Sequence, residues 1–142
     1  MPRVNRSALL PYPAAKLFEL VNDVARYPEF LPWCSKAEVV SASPEEMVAA
    51  LTIQKGGLSE RFTTRNFLSF PDTIELELVD GPFARMQGLW RFTALGHGCK
   101  VELDIEFEYS RGIMQRVIGG VFSHATSSLV DAFCVRARAL YR

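Results

Sequence analysis

From Val101 to Tyr109 the chain alternates without a break. Val101, Leu103, Ile105, Phe107 and Tyr109 are apolar or aromatic, and the residues between them, Glu102, Asp104, Glu106 and Glu108, are all carboxylates. A period of two with one wet face fits an antiparallel strand and does not fit a helix. The same period runs through Met47, Ala49, Leu51 and Ile53, and again through Ile74, Leu76 and Leu78 against Glu75 and Glu77. Turn residues fall between these runs at Pro44-Glu45-Glu46, Gly56-Gly57, Pro71-Asp72, Asp80-Gly81-Pro82 and Gly96-His97-Gly98. They predict six successive strands near 36–42, 46–55, 58–68, 73–80, 86–95 and 99–109. MPRVNRSALL at the start reads as a seventh.

After residue 112 the period becomes helical. Ile113, Met114, Val117, Ile118, Val121, Phe122, Ala125, Leu129, Ala132, Phe133, Ala137 and Leu140 form a broad stripe. A helix over 113–140 is roughly 42 Å long, and Gly119-Gly120 inside it mark a bend or a close approach. A shorter helix follows Pro13, carried by Leu17, Phe18, Leu20 and Val21, with Pro13 in its first turn; a second short turn spans Val24–Arg26. Between these and the strands lies Tyr27-Pro28-Glu29-Phe30-Leu31-Pro32-Trp33-Cys34. Two prolines four apart forbid a regular helix and the aromatics demand burial, which predicts a rigid apolar loop.

The composition sets limits. With 142 residues, 49% of them hydrophobic, the chain has enough apolar material for one domain with a proper core. No apolar run is long enough to span a membrane, and no apolar stretch of secretory-signal type precedes Pro11 and Pro13. Three widely spaced cysteines, Cys34, Cys99 and Cys134, give neither a disulfide framework nor a zinc pattern, and a reduced cytoplasmic compartment is expected. Sixteen basic residues balance sixteen acidic ones, against general nucleic-acid affinity through a basic field. The balance conceals a segregation: residues 72–110 hold three basic and eight acidic side chains, residues 111–142 five and one.

A seven-stranded twisted sheet curls, and the long helix is the element able to cover its concave face. A helix about 10 Å wide does not fill a strongly curved sheet, so an internal cavity is expected. By phase, Leu103, Ile105, Phe107, Trp90, Phe92, Ile74, Leu76 and Leu78 point inward, and so do Phe62, Thr64 and Asn66. Thr64 and Asn66 on that apolar face need hydrogen-bond partners. They hold the polar head of a ligand, or else they bond buried waters or backbone in a bulged register.

YPEFLPWC, GGLSERFTTRN, VDGPFARMQGLWRF and CKVELDIEFEY, in this order along essentially the whole chain, resemble the family of ribosome association toxins (RatA) and coenzyme-Q-binding START-domain proteins. The resemblance implies a single α+β domain over 1–142 with the helix-grip (START-like) fold, a curved seven-stranded antiparallel sheet around a long C-terminal helix with two short N-terminal helices. It implies non-catalytic binding of ubiquinone (coenzyme Q) or a related polyprenyl lipid in the cavity, supporting respiratory quinone function, with no required cofactor and no metal. For the toxin branch it implies binding to the large ribosomal subunit and a block of subunit association. The shared motifs do not choose between the branches.

The residues expected at the ligand are Phe30, Leu31, Pro32, Trp33, Phe62, Thr64, Asn66, Phe83, Trp90, Phe92, Phe107, Val121, Phe122 and Ala125. Phe30, Leu31, Pro32 and Trp33 form one wall of a mouth, with Pro82 and Phe83 in a loop near the other end of the sheet; the alternative is a plug that closes the core. Arg111, Arg116, Arg136 and Arg138 are candidates for contact with ribosomal RNA or anionic lipid headgroups at a membrane surface. Arg136 and Arg138 also suit the helix C-terminus on dipole grounds alone. Catalysis is not expected. His97 sits in a turn, and His124 lies about 10 Å along the helix from Asp131 and about 15 Å from Cys134, beyond hydrogen-bond reach. The outward glutamates stand about 6.8 Å apart along a strand, too far to gather one metal. They are expected to pair across strands, Glu75 and Glu77 with Arg61 and Arg65, and Glu102 to Glu108 with Arg91.

Overall fold

The computed structural model describes residues 3–55, 57–81, 83–109 and 113–141, and the side chains of 55, 58, 109 and 113–123 lie outside that description. Strand β1 (Arg3–Leu10) leads through Pro11 and Pro13 into α1 (Ala14–Asn22), followed by a 3-10 turn over Val24–Glu29. Six strands follow: β2 (Cys34–Ala42), β3 (Glu46–Lys55), β4 (Leu58–Ser69), β5 (Thr73–Asp80), β6 (Phe83–Leu95) and β7 (Gly98–Tyr109). The helix α2 (Ile113–Leu140) ends the order.

The seven strands form one antiparallel sheet in the order β1-β7-β6-β5-β4-β3-β2. Successive strands from β2 onward are joined by tight connections, and Gly96, at φ +61°, supplies the left-handed residue of the β6–β7 turn. The one non-sequential pair is β1 with β7. β1 and β2 therefore lie at opposite edges, and the segment between them crosses a face of the sheet. α1 packs on β6 and β7 and touches α2; α2 packs on β1 and β7, and the 3-10 turn on β2. All the helical elements thus cover the face bearing Leu103, Ile105, Phe107, Trp90 and Phe92, as the helix-grip layout requires.

Several expectations need correcting. The 3-10 turn continues to Glu29 and takes in Tyr27 and Pro28; Leu31 N–H closes onto the Tyr27 carbonyl at 2.9 Å. The prolines exclude an α-helix there but not this tighter turn. Pro13 stands just before α1 in extended conformation rather than inside its first turn. β6 begins three residues earlier than expected, so Phe83 is the first residue of a strand, opposite Tyr109, and not part of a loop.

The outer-face charges are also paired differently. Arg65 lies opposite Glu77 in the register but bonds Glu46 on its other side at 2.7 Å. Arg61 has no β5 residue opposite it, because pairing with β5 stops at Thr63, and it reaches Glu38 of β2 at 3.4 Å. Arg91 does lie opposite Glu102, while Glu108 takes Arg85 at 3.1 Å and Asp104 takes Arg3 in a two-pronged bond at 2.8 and 2.5 Å. The backbone of α2 is continuous through Gly119 and Gly120.

Candidate functional site

Cross-strand register assembles the site from the inner face of β3, β4, β5 and β6. On β4, Phe62, Thr64 and Asn66 point inward, opposite Leu51, Ala49 and Met47 of β3. On the other side Thr64 faces Leu78 and Asn66 faces Leu76 of β5. Gly88 of β6 stands between Leu76 and Ile105, and a Cβ there would meet Ile105 Cγ1 at 2.8 Å and Leu76 Cδ1 at 3.3 Å. The glycine allows those two side chains to close over the strand.

Between this face and α2 lies a cavity of ≈ 70 Å³. Of the residues expected at the ligand, Trp33, Phe62, Thr64, Asn66, Trp90 and Ala125 line it. Phe30, Leu31, Pro32, Phe83, Phe92 and Phe107 do not. Leu31 is fully buried in the core beneath the turn, and Pro32 is exposed. Phe83 packs on Phe107 with ring centroids 5.3 Å apart, and Phe92 lies between Trp90 and Phe18. The side chains of Val121, Phe122 and Arg116 and the whole of Arg111 and Pro82 lie outside the described residues.

The sequence reading did not place Val24, Tyr27, Ala49, Leu51, Ile53, Leu76, Met86, Ile105, Thr126 and Leu129 at the site, yet they complete the described lining. Helical spacing could have found Leu129, four residues after Ala125, and strand parity could have found the β3 row.

The cavity is predominantly apolar, with one buried side-chain pair on β4. Thr64 Oγ1 donates to Asn66 Oδ1 at 2.8 Å, with the two residues 8% and 5% exposed. Tyr27 donates its hydroxyl hydrogen to the Val21 carbonyl, and burial pushes its phenol well above the ordinary tyrosine value. Burial likewise raises all three thiols, Cys34 to about 11, so none is a ready thiolate. His124 and Asp131 are exposed on α2 and do not line the cavity. Among the described residues no group of His, Cys, Asp and Glu side chains is arranged to hold a metal ion. No described helix is long and apolar enough to cross a membrane.

A larger concavity of ≈ 500 Å³ lies on the opposite face of the sheet, flanked by Glu75, Glu77, Asp104 and Glu106. It is an open groove between charged side chains, not an enclosure, so the inner cavity is the candidate ligand site.

The arginines on α2 divide. Arg136 donates to Glu29 at 3.1 Å and lies over the Phe30 ring at 5.1 Å, with its side chain 20% exposed. Phe30 in turn packs edge-on against Phe133 and Tyr27. Arg136 therefore fastens the 3-10 turn to α2 and is not a free surface cation, whereas Arg138 is exposed.

A curved sheet gripping a C-terminal helix over an apolar cavity defines the START-like class of hydrophobic-ligand-binding folds. The chain belongs to the family described as polyketide cyclase / dehydrase and lipid transport, whose model matches residues 10–134. It is 52% identical over 139 residues to the ribosome association toxin RatA of Pseudomonas aeruginosa, covering 97% of this chain and 96% of that one. It is 28% identical over 144 residues to the mitochondrial coenzyme Q-binding protein of Schizosaccharomyces pombe, covering 93% and 84%. Among solved structures, TTHA0849 from Thermus thermophilus superposes with a TM-score of 0.87 at 19% identity, covering 99% and 100%.

Proposed function

We propose that this chain acts without catalysis on the ribosome in the cytoplasm, binding the large subunit and opposing its association with the small one. The observation that carries this reading is the 52% identity, across nearly the full length of both chains, to a protein named as a ribosome association toxin. The site agrees: its one tyrosine hydroxyl is committed to a backbone carbonyl, and neither a histidine nor a cysteine is among the described lining residues. The test adds purified protein to separated ribosomal subunits under joining conditions and resolves the products on a sucrose gradient. The joined ribosome peak should fall while the protein sediments with the large subunit. An unchanged peak at excess protein, with no protein in the large-subunit fraction, overturns the proposal.

A second reading, binding of ubiquinone or another polyprenyl lipid, is favoured by the predominantly apolar cavity with the Thr64–Asn66 pair in its lining. At ≈ 70 Å³ this cavity has about half the roughly 150 Å³ that accommodates benzene. A quinone ring therefore enters only if the lining gives way. Mass spectrometry of organic extracts from gently purified protein checks this reading. About one equivalent of quinone supports it, and a clean extract with no uptake of added quinone removes it.

A further inference from the structure

Asn66 is the one primary amide among the described residues lining the cavity, and its neighbours on the adjoining strands are Met47 and Leu76. It is 95% buried, and its carbonyl oxygen accepts the Thr64 hydroxyl hydrogen at 2.8 Å. A carboxamide carries an acceptor at one end and two donors at the other. With the acceptor held by Thr64, no described residue takes the two N–H donors, which leaves them to a ligand in the cavity. Thr64 and Asn66 are two residues apart on the same face of β4, a spacing at which side chains of one strand meet.

The described lining also holds the hydroxyl groups of Thr126 and Tyr27, the latter donating to the Val21 carbonyl. Trp33 and Trp90 contribute indole N–H groups, which only donate.

We propose that Thr64 is a positioning residue that turns the Asn66 amide nitrogen toward the cavity, so that the cavity selects an apolar ligand ending in a hydrogen-bond acceptor such as a carbonyl oxygen. This rests on the second reading above, that the cavity takes an apolar ligand. Selectivity then comes from Asn66, and its direction comes from Thr64.

The test uses duroquinone and durene, which share a tetramethyl ring and differ in two carbonyl oxygens. Duroquinone has no open ring position for the three cysteines to attack. Each is titrated into nitrogen-15-labelled protein while the Asn66 side-chain amide and the Trp33 and Trp90 indole signals are followed. Wild type should prefer duroquinone by about tenfold or more, with the Asn66 amide shifting for duroquinone and not for durene. Thr64→Val keeps the branched shape and exchanges the hydroxyl for a methyl; it should bring the two affinities toward parity by weakening that of duroquinone. Asn66→Leu should abolish the preference, and if it does not fold, Thr64→Val decides the matter. Equal wild-type affinities, or a preference that survives Thr64→Val, overturn the proposal and leave the cavity reading standing. No binding of either compound removes the cavity reading, and the proposal with it.

Discussion

Ala125→Leu separates the two readings, because it fills the cavity from the helix without touching the outer surface. Ala125 is 0% exposed and lines the cavity from α2. Removing ≈ 70 Å³ of empty space at roughly 24 cal/mol per Å³ stabilises the fold by about 1.7 kcal/mol. Burying three more carbons adds about 2.4 kcal/mol at roughly 0.8 each. Imperfect fit against Trp90 and Met86 takes back about 1–3 kcal/mol, and the change in helix propensity is negligible. The expected net gain is about 1–3 kcal/mol, a rise in Tm of about 3–12 °C. Urea denaturation should show a higher midpoint with an unchanged slope. Duroquinone binding should be lost, while interference with subunit joining persists. A variant destabilised by about 1 kcal/mol or more would refute the claim that the space is unfilled and accessible to a side chain on α2. A stabilised variant that no longer affects subunit joining would refute the separation of cavity from ribosome binding.

Phe133→Ala should cost about 3–5 kcal/mol in urea denaturation, since the buried ring packs edge-on against Tyr27, Phe30 and Trp90 at 5.2–5.4 Å. Glu29→Gln should cost no more than about 1 kcal/mol, because Glu29 is 49% exposed and water screens the pair. Arg136→Ala should cost more, because it also uncovers the Phe30 ring, and a double-mutant cycle of the two measures their coupling. Asp104→Asn tests a pH effect: the bonds from Arg3 hold the Asp104 carboxyl below its ordinary value, so the native state binds fewer protons there than the unfolded chain. That stabilisation is complete above the ordinary aspartate value near 3.9 and is lost as pH falls through the lowered native one. Melting curves of wild type and variant should converge in that acid window, and parallel curves would show that the pair does not contribute.

Strand parity made most of the sheet legible, and its failures have physical causes. The early start of β6 is hidden because Phe83 and Met86 both point inward although their spacing of three is odd; the register shift between Phe83 and Arg85 puts the pattern out of phase. Parity also fixes the face of a side chain but not its depth. Phe92 and Phe107 are on the inner face, as their phase requires, yet they lie beyond the cavity, under Phe18 and beside Phe83. Depth depends on how the strands are staggered and where α1 lands, neither of which has a local signal. The pairing of Arg136 with Glu29 joins residues 107 apart and has no local signal, so the sequence offers only the helix dipole or an RNA or headgroup contact as reasons for a cation at that position.

The size of the cavity follows from the same limit. A helix on a curved sheet does leave space, but the residues facing that space decide how much survives. Here the wall is built from Tyr27, Trp33, Phe62, Met86 and Trp90, large side chains that close most of the volume the backbone leaves open. The fold alone argues for a ligand, and its side chains argue that the resting site is nearly closed. A function that needs the cavity must therefore include the work of opening it, whereas a function carried by the outer surface does not. That difference, added to the 52% identity with a protein named a ribosome association toxin, is why ribosome binding is proposed here ahead of quinone binding.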